Sequence, residues 1–421
     1  MGTLSKRSMN KAHYILVLLL IFSSTNTVPA FRDIYIIFLV TIGLVIYFRL
    51  KGYVFGKYYF NFLLIFGLFT FVYFLQFSTF NPIFSIRVIS VVTIAYIVAK
   101  MVKLQLIVYF EDIVYKLALI SLPLFLWQIL DFNSLYQLNG FIEKYLPFGE
   151  FGGVANTNSL VFTMKTYAPF RNSGFMWEPG AFAAMLSLPL YFNLSRNNFT
   201  WNRKLIVMVI ALLTTQSTMG YLVFLLLGLY MSFNPSSKEN KVIPYIFSLI
   251  VIAALAVFTV QQDFMAQKIQ TEYSNIDATI DMAYSRKTAS KDKMSLGRMA
   301  SLIMDLQTVK KYPLVGIGGQ SEVLEESVYD VNRTNGWGDF IRTFGVLGVI
   351  ILLINLMRTG NSFQLLFNSK SGKIFFVLIF LTFTFSNGII MLPLFITLQW
   401  FYLINKRTVK TINNLQISNS I

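Results

Sequence analysis

The chain of 421 residues contains no cysteine, and its single histidine is His13. Without cysteine there can be no disulfides, no thiolate metal sites and no cysteine nucleophile. The single histidine lies in a basic N-terminal segment, which leaves histidine catalysis and histidine metal sites almost excluded. The chemistry of this protein must therefore rest on other side chains.

Charged residues are also scarce, at 13% of the chain, compared with about 25% in ordinary soluble domains. Hydrophobic residues make up 55% and aromatic residues 16%, and the mean hydropathy is +0.61. A water-soluble chain of this length does not have enough interior to bury so much apolar surface. The composition predicts an all-α, polytopic integral membrane protein.

Apolar runs predict about twelve transmembrane helices, because a spanning helix needs roughly 20 mostly apolar residues. The polar segment 214–218 favours two short helices over one long helix where it divides the 205–233 stretch. The first run is taken as a helix rather than a signal peptide, since no convincing cleavage site follows it. Residues 1–421 then form a single membrane domain with spans at 14–30, 34–48, 58–77, 83–99, 113–130, 180–194, 205–215, 221–233, 242–260, 337–357, 374–386 and 389–404.

The chain has 35 Lys and Arg residues against 19 acidic residues, a net charge of +16 that is typical of nucleic-acid binders. Nineteen of these basic residues, however, lie in segments that the predicted spans place on one side of the membrane. The short connections on the other side carry only Arg32. Because Lys and Arg concentrate in cytoplasmic loops, we expect both termini in the cytoplasm. A nucleic-acid partner is therefore excluded.

Two long connections, 131–179 and 261–336, are predicted on the outer side. Long ordered loops over one face indicate an enzyme acting at that membrane surface. Within the second loop, residues 295–310 form an amphipathic helix with one apolar face: Met299, Leu302, Ile303, Leu306 and Val309. Two interpretations stay open: a helix lying on the bilayer surface, or a lid whose Arg298 faces a site.

Ionisable residues at membrane depth are candidates for function, because such charges usually face an interior cavity. Four fall inside or at the edge of predicted spans: Arg87, Lys116, Asp339 and Arg342. Those near helix ends can instead reach the membrane surface. Glu178 stands at the entry to another span, where the helix dipole stabilises a carboxylate and where it can also serve as a base.

Other chemistries lack their sequence signatures. No Walker sequence and no Gly-x-Ser-x-Gly elbow occurs. The acidic residues Glu322, Glu325, Glu326 and Asp330 form a loose cluster whose spacing matches no ion-binding loop. We expect neither a metal site nor a cofactor.

A set of short motifs, taken in order, resembles the bacterial O-antigen polymerase and ligase superfamily, which includes the Wzy-type polymerases. The resemblance covers about 171–396, and the motifs are Arg171-x-x-Gly174-x-x-x-Glu178-Pro179, Thr215-Gln-Ser-Thr218-x-Gly220, Gly297-Arg298, Tyr312-Pro-Leu-Val-Gly316-Ile-Gly318, Thr334-Asn335-Gly336 and Phe344-Gly345-Val-Leu-Gly348. It implies a GT-C-like glycosyltransferase architecture with two large outer loops.

The resemblance implies a polymerase of oligosaccharide repeats carried on undecaprenyl pyrophosphate, acting at the periplasmic face of the bacterial inner membrane. It also implies a chain-length regulator protein as a partner. The superfamily's ligases carry a histidine before the asparagine motif, where this chain has Thr334, which favours the polymerase. O-antigen ligase and a lipid-oligosaccharide flippase or transporter remain the alternatives, although a flippase would not need two long outer loops.

Candidate site residues follow from the resemblance and from the charge that a pyrophosphate leaving group carries. Arginine suits phosphate oxygens, so Arg171 and Arg298 are the leading catalytic candidates, with Arg342 in substrate binding. Glu178 is the expected base and Asp339 the reserve. The remaining substrate-binding candidates are Gly174, Thr218, Tyr312 and Asn335.

Overall fold

The structure is a computed structural model that describes residues 10–25, 27, 33–145, 156–234, 294–295, 297–320, 331–332, 335–386 and 388–418. Within these ranges the protein is nearly all helical, with thirteen helices and two short strand pairs. The predicted all-α class is confirmed at this level. The predicted span 242–260 lies outside the described residues, and the count of twelve spans stays a prediction.

The first part of the chain forms seven helices and one hairpin. Side chains of Asn10, Asp33 and Asn81 cap three of these helices by accepting hydrogen bonds from backbone N–H groups of the first turn. The elements are α1 (Lys11–Ser23), α2 (Ile34–Leu50), α3 (Lys57–Phe77), α4 (Pro82–Val102), α5 (Gln105–Leu130), α6 (Phe132–Tyr145), β1 (Asn156–Asn158), β2 (Thr163–Lys165) and α7 (Pro179–Arg196).

The second part contains six helices and two paired two-residue strands. The predicted division of the 205–233 stretch into two helices is confirmed, with the break at residues 215–217. The elements are α8 (Arg203–Thr214), α9 (Thr218–Phe233), β3 (Met294–Ser295), α10 (Arg298–Lys311), β4 (Val331–Asn332), α11 (Gly336–Phe367), α12 (Gly372–Ser386) and α13 (Pro393–Ser418).

Among the described helices, α3, α4, α5 and α11 are long and apolar enough to cross a membrane. Helices α1, α2, α9 and α12 are apolar but shorter. α3 leaves large apolar side chains on its outer surface, including Leu64, Leu68 and Leu75, which are 56–65% exposed. An exposed apolar surface of this kind is stable in lipid rather than in water.

Helix α7 lies at the centre of the bundle, and every residue from Pro179 to Ser195 is buried. It packs against α5, α8, α9 and α12. Small residues in its first turns allow this close approach: a Cβ added at Gly220 of α9 would lie 3.0 Å from the Cβ of Ala183. The central helix therefore fixes the position of the segment that precedes it.

The predicted loop 131–179 contains α6 and an antiparallel hairpin in which Asn156 pairs with Lys165. The hairpin is joined to the segment before α7, because the Thr163 N–H donates to the Gly174 carbonyl at 2.7 Å. Of the second predicted loop, the structure describes only the C-terminal part, where β3 pairs in parallel with β4.

The predicted amphipathic helix exists as α10, beginning three residues later than expected because Gly297 has an extended conformation. It packs on α11, and its buried face is Ala300, Ser301, Met304, Asp305 and Val309. Most of the predicted apolar stripe remains half-buried or exposed, with Leu306 40% exposed. The buried face of α10 thus differs from the predicted apolar stripe, with which it shares only Val309.

Candidate functional site

The segment before α7 folds back onto the break between α8 and α9. Arg171 Nε donates to the Thr215 carbonyl at 3.1 Å, and the Asn172 N–H donates to the Thr214 carbonyl at 3.0 Å. A helix that ends leaves its last carbonyls without intrahelical partners. The break after Thr214 therefore supplies the acceptors that hold Arg171 in place.

This anchor lies at the connection between the predicted spans 205–215 and 221–233. Helix α8 has twelve residues, which rise about 18 Å, less than the roughly 30 Å of a hydrocarbon core. Irregular backbone within a hydrocarbon core is tolerated where protein surrounds it. Thr215 is fully buried, and Arg171 is half-buried beside it.

Glu178 occupies the N-cap of α7 in an extended conformation, and Pro179 begins the helix. Gly174, four residues earlier, has φ +50°, and a Cβ there would lie 2.6 Å from the Phe182 ring. Gly174 is buried, and only a residue without a side chain fits at this position. The glycine lets the chain turn so that Arg171 and Glu178 both stand at the start of α7.

The charges of Glu178 and Arg298 both act on Arg171, and these three residues are called here the Arg–Glu cluster. Burial lowers the pKa of the Arg171 guanidinium, the negative charge of Glu178 raises that pKa, and the positive charge of Arg298 lowers it again. Tyr167 and Tyr221 also act on Arg171. Three predicted catalytic residues, two of them 127 positions apart in sequence, are therefore brought together with one excess positive charge.

Arg298 begins α10, and its backbone is held by the next helix. Asn335 caps α11 by accepting from the Trp337 and Gly338 N–H groups at 2.9 Å each, and its Nδ2 donates to the Arg298 carbonyl at 3.3 Å. Asn335 is buried. This predicted sugar-binding residue thus positions the helix that carries Arg298.

A second contact joins α10 to α11 two turns further along. The fully buried Asp305 places Oδ1 3.4 Å from Arg342 Nε, and a Cβ on Gly338 would lie 2.4 Å from Asp305 Oδ2. Arg342 also donates to Asp339. Arg298 and Asp305 are seven residues apart and so lie on nearly the same face of the helix, but their partners at and in α11 could not be inferred from the sequence.

A cavity of about 410 Å³ lies beside this contact and is called here the α4–α11 cavity. It is bounded by α4, the turn at 317–319, the start of α11 and the segment 388–392. Three of the four ionisable residues predicted at membrane depth line it, namely Arg87, Asp339 and Arg342. The fourth, Lys116, instead pairs with Asp112 at 2.8 Å and is 55% exposed.

Two glycine motifs interlock at the edge of this cavity. Helix α11 is broken at Gly345, whose φ of +62° and ψ of −169° are not helical. The freed carbonyls of Arg342 and Thr343 accept hydrogen bonds from the Ile317 and Gly318 N–H groups, both at 2.9 Å. A Cβ at Gly316 would lie 2.2 Å from the Arg342 carbonyl oxygen, so the two chains approach too closely for side chains.

Two predicted substrate-binding residues, Thr218 and Tyr312, are not part of the Arg–Glu cluster. Thr218 is the exposed first residue of α9. Tyr312 is the C-cap residue that follows α10, about 21 Å along the helix axis from Arg298, and its ring contacts Phe77 with centroids 5.0 Å apart. Sequence reasoning missed Tyr167 and Tyr221, which carry no motif that would have indicated proximity to Arg171.

Helices long and apolar enough to cross a bilayer, with ionisable side chains lining a cavity between them, indicate a membrane protein. Residues 205–353 match the protein family described as O-antigen ligase (Wzy_C). This match confirms the resemblance to the O-antigen polymerase and ligase superfamily, whose members are glycosyltransferase-like enzymes acting on lipid-linked glycans. No curated protein matches the chain.

The matched region runs from α8 into α11 and so includes Thr215, Arg298, Asp305, Asn335 and Arg342. Arg171 and Glu178 precede it and join it through the Thr215 contact and the charge of Arg298. The match fits a polymerase and a ligase equally.

Proposed function

We propose that this protein is a glycosyltransferase that polymerises oligosaccharide repeats carried on undecaprenyl pyrophosphate at the periplasmic face of the bacterial inner membrane. The observation that carries the proposal is the Arg–Glu cluster, in which the charges of Glu178 and Arg298 act on Arg171 beside the start of the central helix. The family match over residues 205–353 supports the same class of reaction.

In this proposal the growing glycan is the donor. A hydroxyl oxygen of the next lipid-linked repeat forms a bond to the donor's C1, and the bond from C1 to the pyrophosphate oxygen breaks. The hydroxyl proton passes to the Glu178 carboxylate, and the bonding electron pair leaves with the pyrophosphate. Arg171 and Arg298 stabilise the charge that develops on that leaving group.

Permanently charged guanidinium groups suit this task because they match phosphate oxygens with two parallel donors. Each such contact contributes roughly 1.5–3 kcal/mol. Arg171 uses Nε to hold the Thr215 carbonyl, and in this proposal its two terminal nitrogens bind the pyrophosphate oxygens. The backbone contact therefore orients the guanidinium before the substrate arrives.

The choice of polymerase over ligase depends on histidine. The superfamily's ligases carry a histidine near the asparagine motif, whereas the single histidine of this chain is in α1. The ligase is the second candidate, and the family match favours it as strongly as the polymerase. We further propose twelve spans, both termini in the cytoplasm, and a chain-length regulator as partner.

Polymer length in cells tests the proposal. Glu178→Gln and Arg171→Ala should each abolish long glycan chains while single repeats still reach the cell surface, because only repeat joining is lost. Lys144→Ala, which removes an exposed cation from α6, is the matched control and should leave chain length unchanged. Normal long chains from both site variants at normal protein level would refute the assignment, and loss of all surface glycan would identify a ligase.

A further inference from the structure

The α4–α11 cavity has the layout of a site for an amphiphile. One face of α4 lines it at Phe84, Arg87, Val88 and Val91, a stretch of about 10 Å along the helix. Arg87 is exposed near the start of α4, and the valines lie deeper. Inward of Phe84, the wall therefore passes from the Arg87 cation to the apolar valines in the direction of the predicted membrane interior.

The opposite wall repeats this arrangement. Asp339 and Arg342 stand near the start of α11, and Phe340 and Phe344 lie between and below them. On the third side, Ile390, Met391 and Leu392 add further apolar surface. A phosphate group at the rim with a hydrocarbon chain along the wall would match both parts of the cavity.

The cavity adjoins the Arg–Glu cluster. Asn335 donates to the carbonyl of Arg298, which belongs to the cluster, and the next residue, Gly336, lines the cavity. Ligands in the two places would therefore lie on either side of the Asn335–Gly336 segment. A reaction between two lipid-linked molecules requires two such neighbouring places.

The charges differ between the two places. The Arg–Glu cluster has two arginines and one carboxylate, whereas Arg342 in the cavity is already paired with Asp305 and Asp339, which leaves Arg87 as the cation without an acidic partner among the described contacts. Excess positive charge is needed where negative charge develops in the transition state. The α4–α11 cavity, which has less excess positive charge, suits a headgroup whose charge does not change during the reaction.

We propose that the α4–α11 cavity binds the phosphate-bearing headgroup and the first part of the lipid chain of the acceptor, with Arg87 as the phosphate ligand. The identification of this lipid as the acceptor rests on the proposed function. The binding of a lipid phosphate rests on the cavity alone. Undecaprenyl pyrophosphate and an ordinary phospholipid share that chemistry, and the experiment distinguishes them.

Native mass spectrometry of the purified protein with undecaprenyl pyrophosphate tests the site without requiring activity. The wild-type protein should retain two lipid molecules, and Arg87→Gln and Arg171→Gln should each retain one. Arg87→Lys should restore the second molecule because it keeps the charge, and Lys144→Ala should retain two. Two molecules retained with unchanged affinity by Arg87→Gln would overturn the proposal.

Two further arms identify the source of the phosphate. Phosphatidylglycerol should displace the Arg87-dependent molecule only at concentrations at least about 10-fold higher, because it has one phosphate and acyl chains in place of the pyrophosphate and the polyprenyl chain. Inorganic pyrophosphate should not displace it, because it has no lipid chain. Displacement by phosphatidylglycerol at equal concentration would assign the cavity to bulk phospholipid and overturn the acceptor claim.

Kinetics separate this inference from the proposed function. In a reconstituted assay, Arg87→Gln should raise the acceptor KM about 10-fold with kcat retained, whereas Arg171→Gln should lower kcat. A lowered kcat at unchanged KM for Arg87→Gln would contradict the binding role. If the wild-type protein joins no repeats, the proposed function fails, while the retained-lipid count still decides whether Arg87 binds a lipid phosphate.

Discussion

At the scale of single residues, Arg171 combines two kinds of contact that no other described arginine shows together. Its Nε is used by the Thr215 carbonyl, and its charge is balanced between Glu178 and Arg298. The contact with the Thr215 carbonyl determines how the guanidinium group is oriented. The neighbouring charges determine which ligands it can attract. Geometry and charge at this residue can therefore be tested separately.

Arg171→Lys keeps the positive charge but loses the planar fork and the Nε donor. We expect the rate of repeat joining in isolated membranes to fall about 10- to 100-fold, since a charge-assisted bond worth roughly 1.5–3 kcal/mol is lost. Immunoblotting of the membranes controls for protein level. A lysine variant with full activity would show that charge alone suffices.

Asp339→Asn separates the two candidate bases. Asp339 is 55% exposed and bound to Arg342, while Glu178 stands in the Arg–Glu cluster. We expect Asp339→Asn to keep joining within a few-fold of the wild-type rate, and Glu178→Gln to lose about 10²–10⁴ of it, the usual contribution of a general base. The reverse order of the two rates would transfer the role of base to Asp339.

At the scale of elements, the broken helix α11 and the turn after α10 form one interlocked unit. The Val346 and Leu347 N–H groups donate to the Pro313 and Leu314 carbonyls, and Tyr73 OH donates to the carbonyls of Val315 and Thr343 at 2.9 Å. The unit holds Arg342 at the cavity wall. Its geometry depends on glycine at the break.

Gly345→Ala should destabilise the protein by at least about 2 kcal/mol, because alanine is strained at φ +62° and its Cβ would lie 2.4 Å from the Leu314 carbonyl oxygen. A lower melting temperature of the purified protein in detergent would show this. Gly67→Ala in α3 is the control, since nothing lies within 4 Å of a Cβ there. Equal melting temperatures for the two variants would contradict the interlock.

The positions of most of these helices and of the break between α8 and α9 were predictable from the sequence. The apolar runs located the helices, the polar 214–218 segment located the break, and the spacing of apolar residues located α10. The face by which α10 packs was not predictable, because Ala300, Ser301 and Asp305 are buried together with Met304, while Leu306 of the predicted stripe is exposed. Hydrophobic periodicity alone does not separate a protein-facing stripe from a lipid-facing one.

The sequence indicated which residues belong to the candidate site, but it did not indicate which of them lie close together. Arg171, Glu178 and Arg298 were chosen for their charge and motif, and the structure adds that the charges of Glu178 and Arg298 act on Arg171. Their closeness follows from α8 ending at Thr214 and from Asn335 holding the start of α10, both long-range contacts. The α4–α11 cavity likewise depends on four separate segments that no local pattern connects.

At the scale of the whole molecule, the basic residues indicate an orientation that places the starts of α4, α7 and α11 on the outer side. The chain has no cysteine, so single introduced cysteines report accessibility without background. In intact spheroplasts a membrane-impermeant maleimide should label Lys144→Cys in α6 and leave Thr200→Cys, between α7 and α8, unlabelled. Labelling of position 200 alone would invert the predicted topology.

The central claim is that this protein alone joins lipid-linked repeats. The direct measurement is extension of purified undecaprenyl-pyrophosphate-linked repeats by the purified protein in liposomes, without ATP or added metal. The account predicts a ladder of products that differ by one repeat, with one undecaprenyl pyrophosphate released for each linkage and no ladder from Glu178→Gln. Folded wild-type protein that yields no ladder, or that transfers glycan only when lipid A core is supplied, would contradict it.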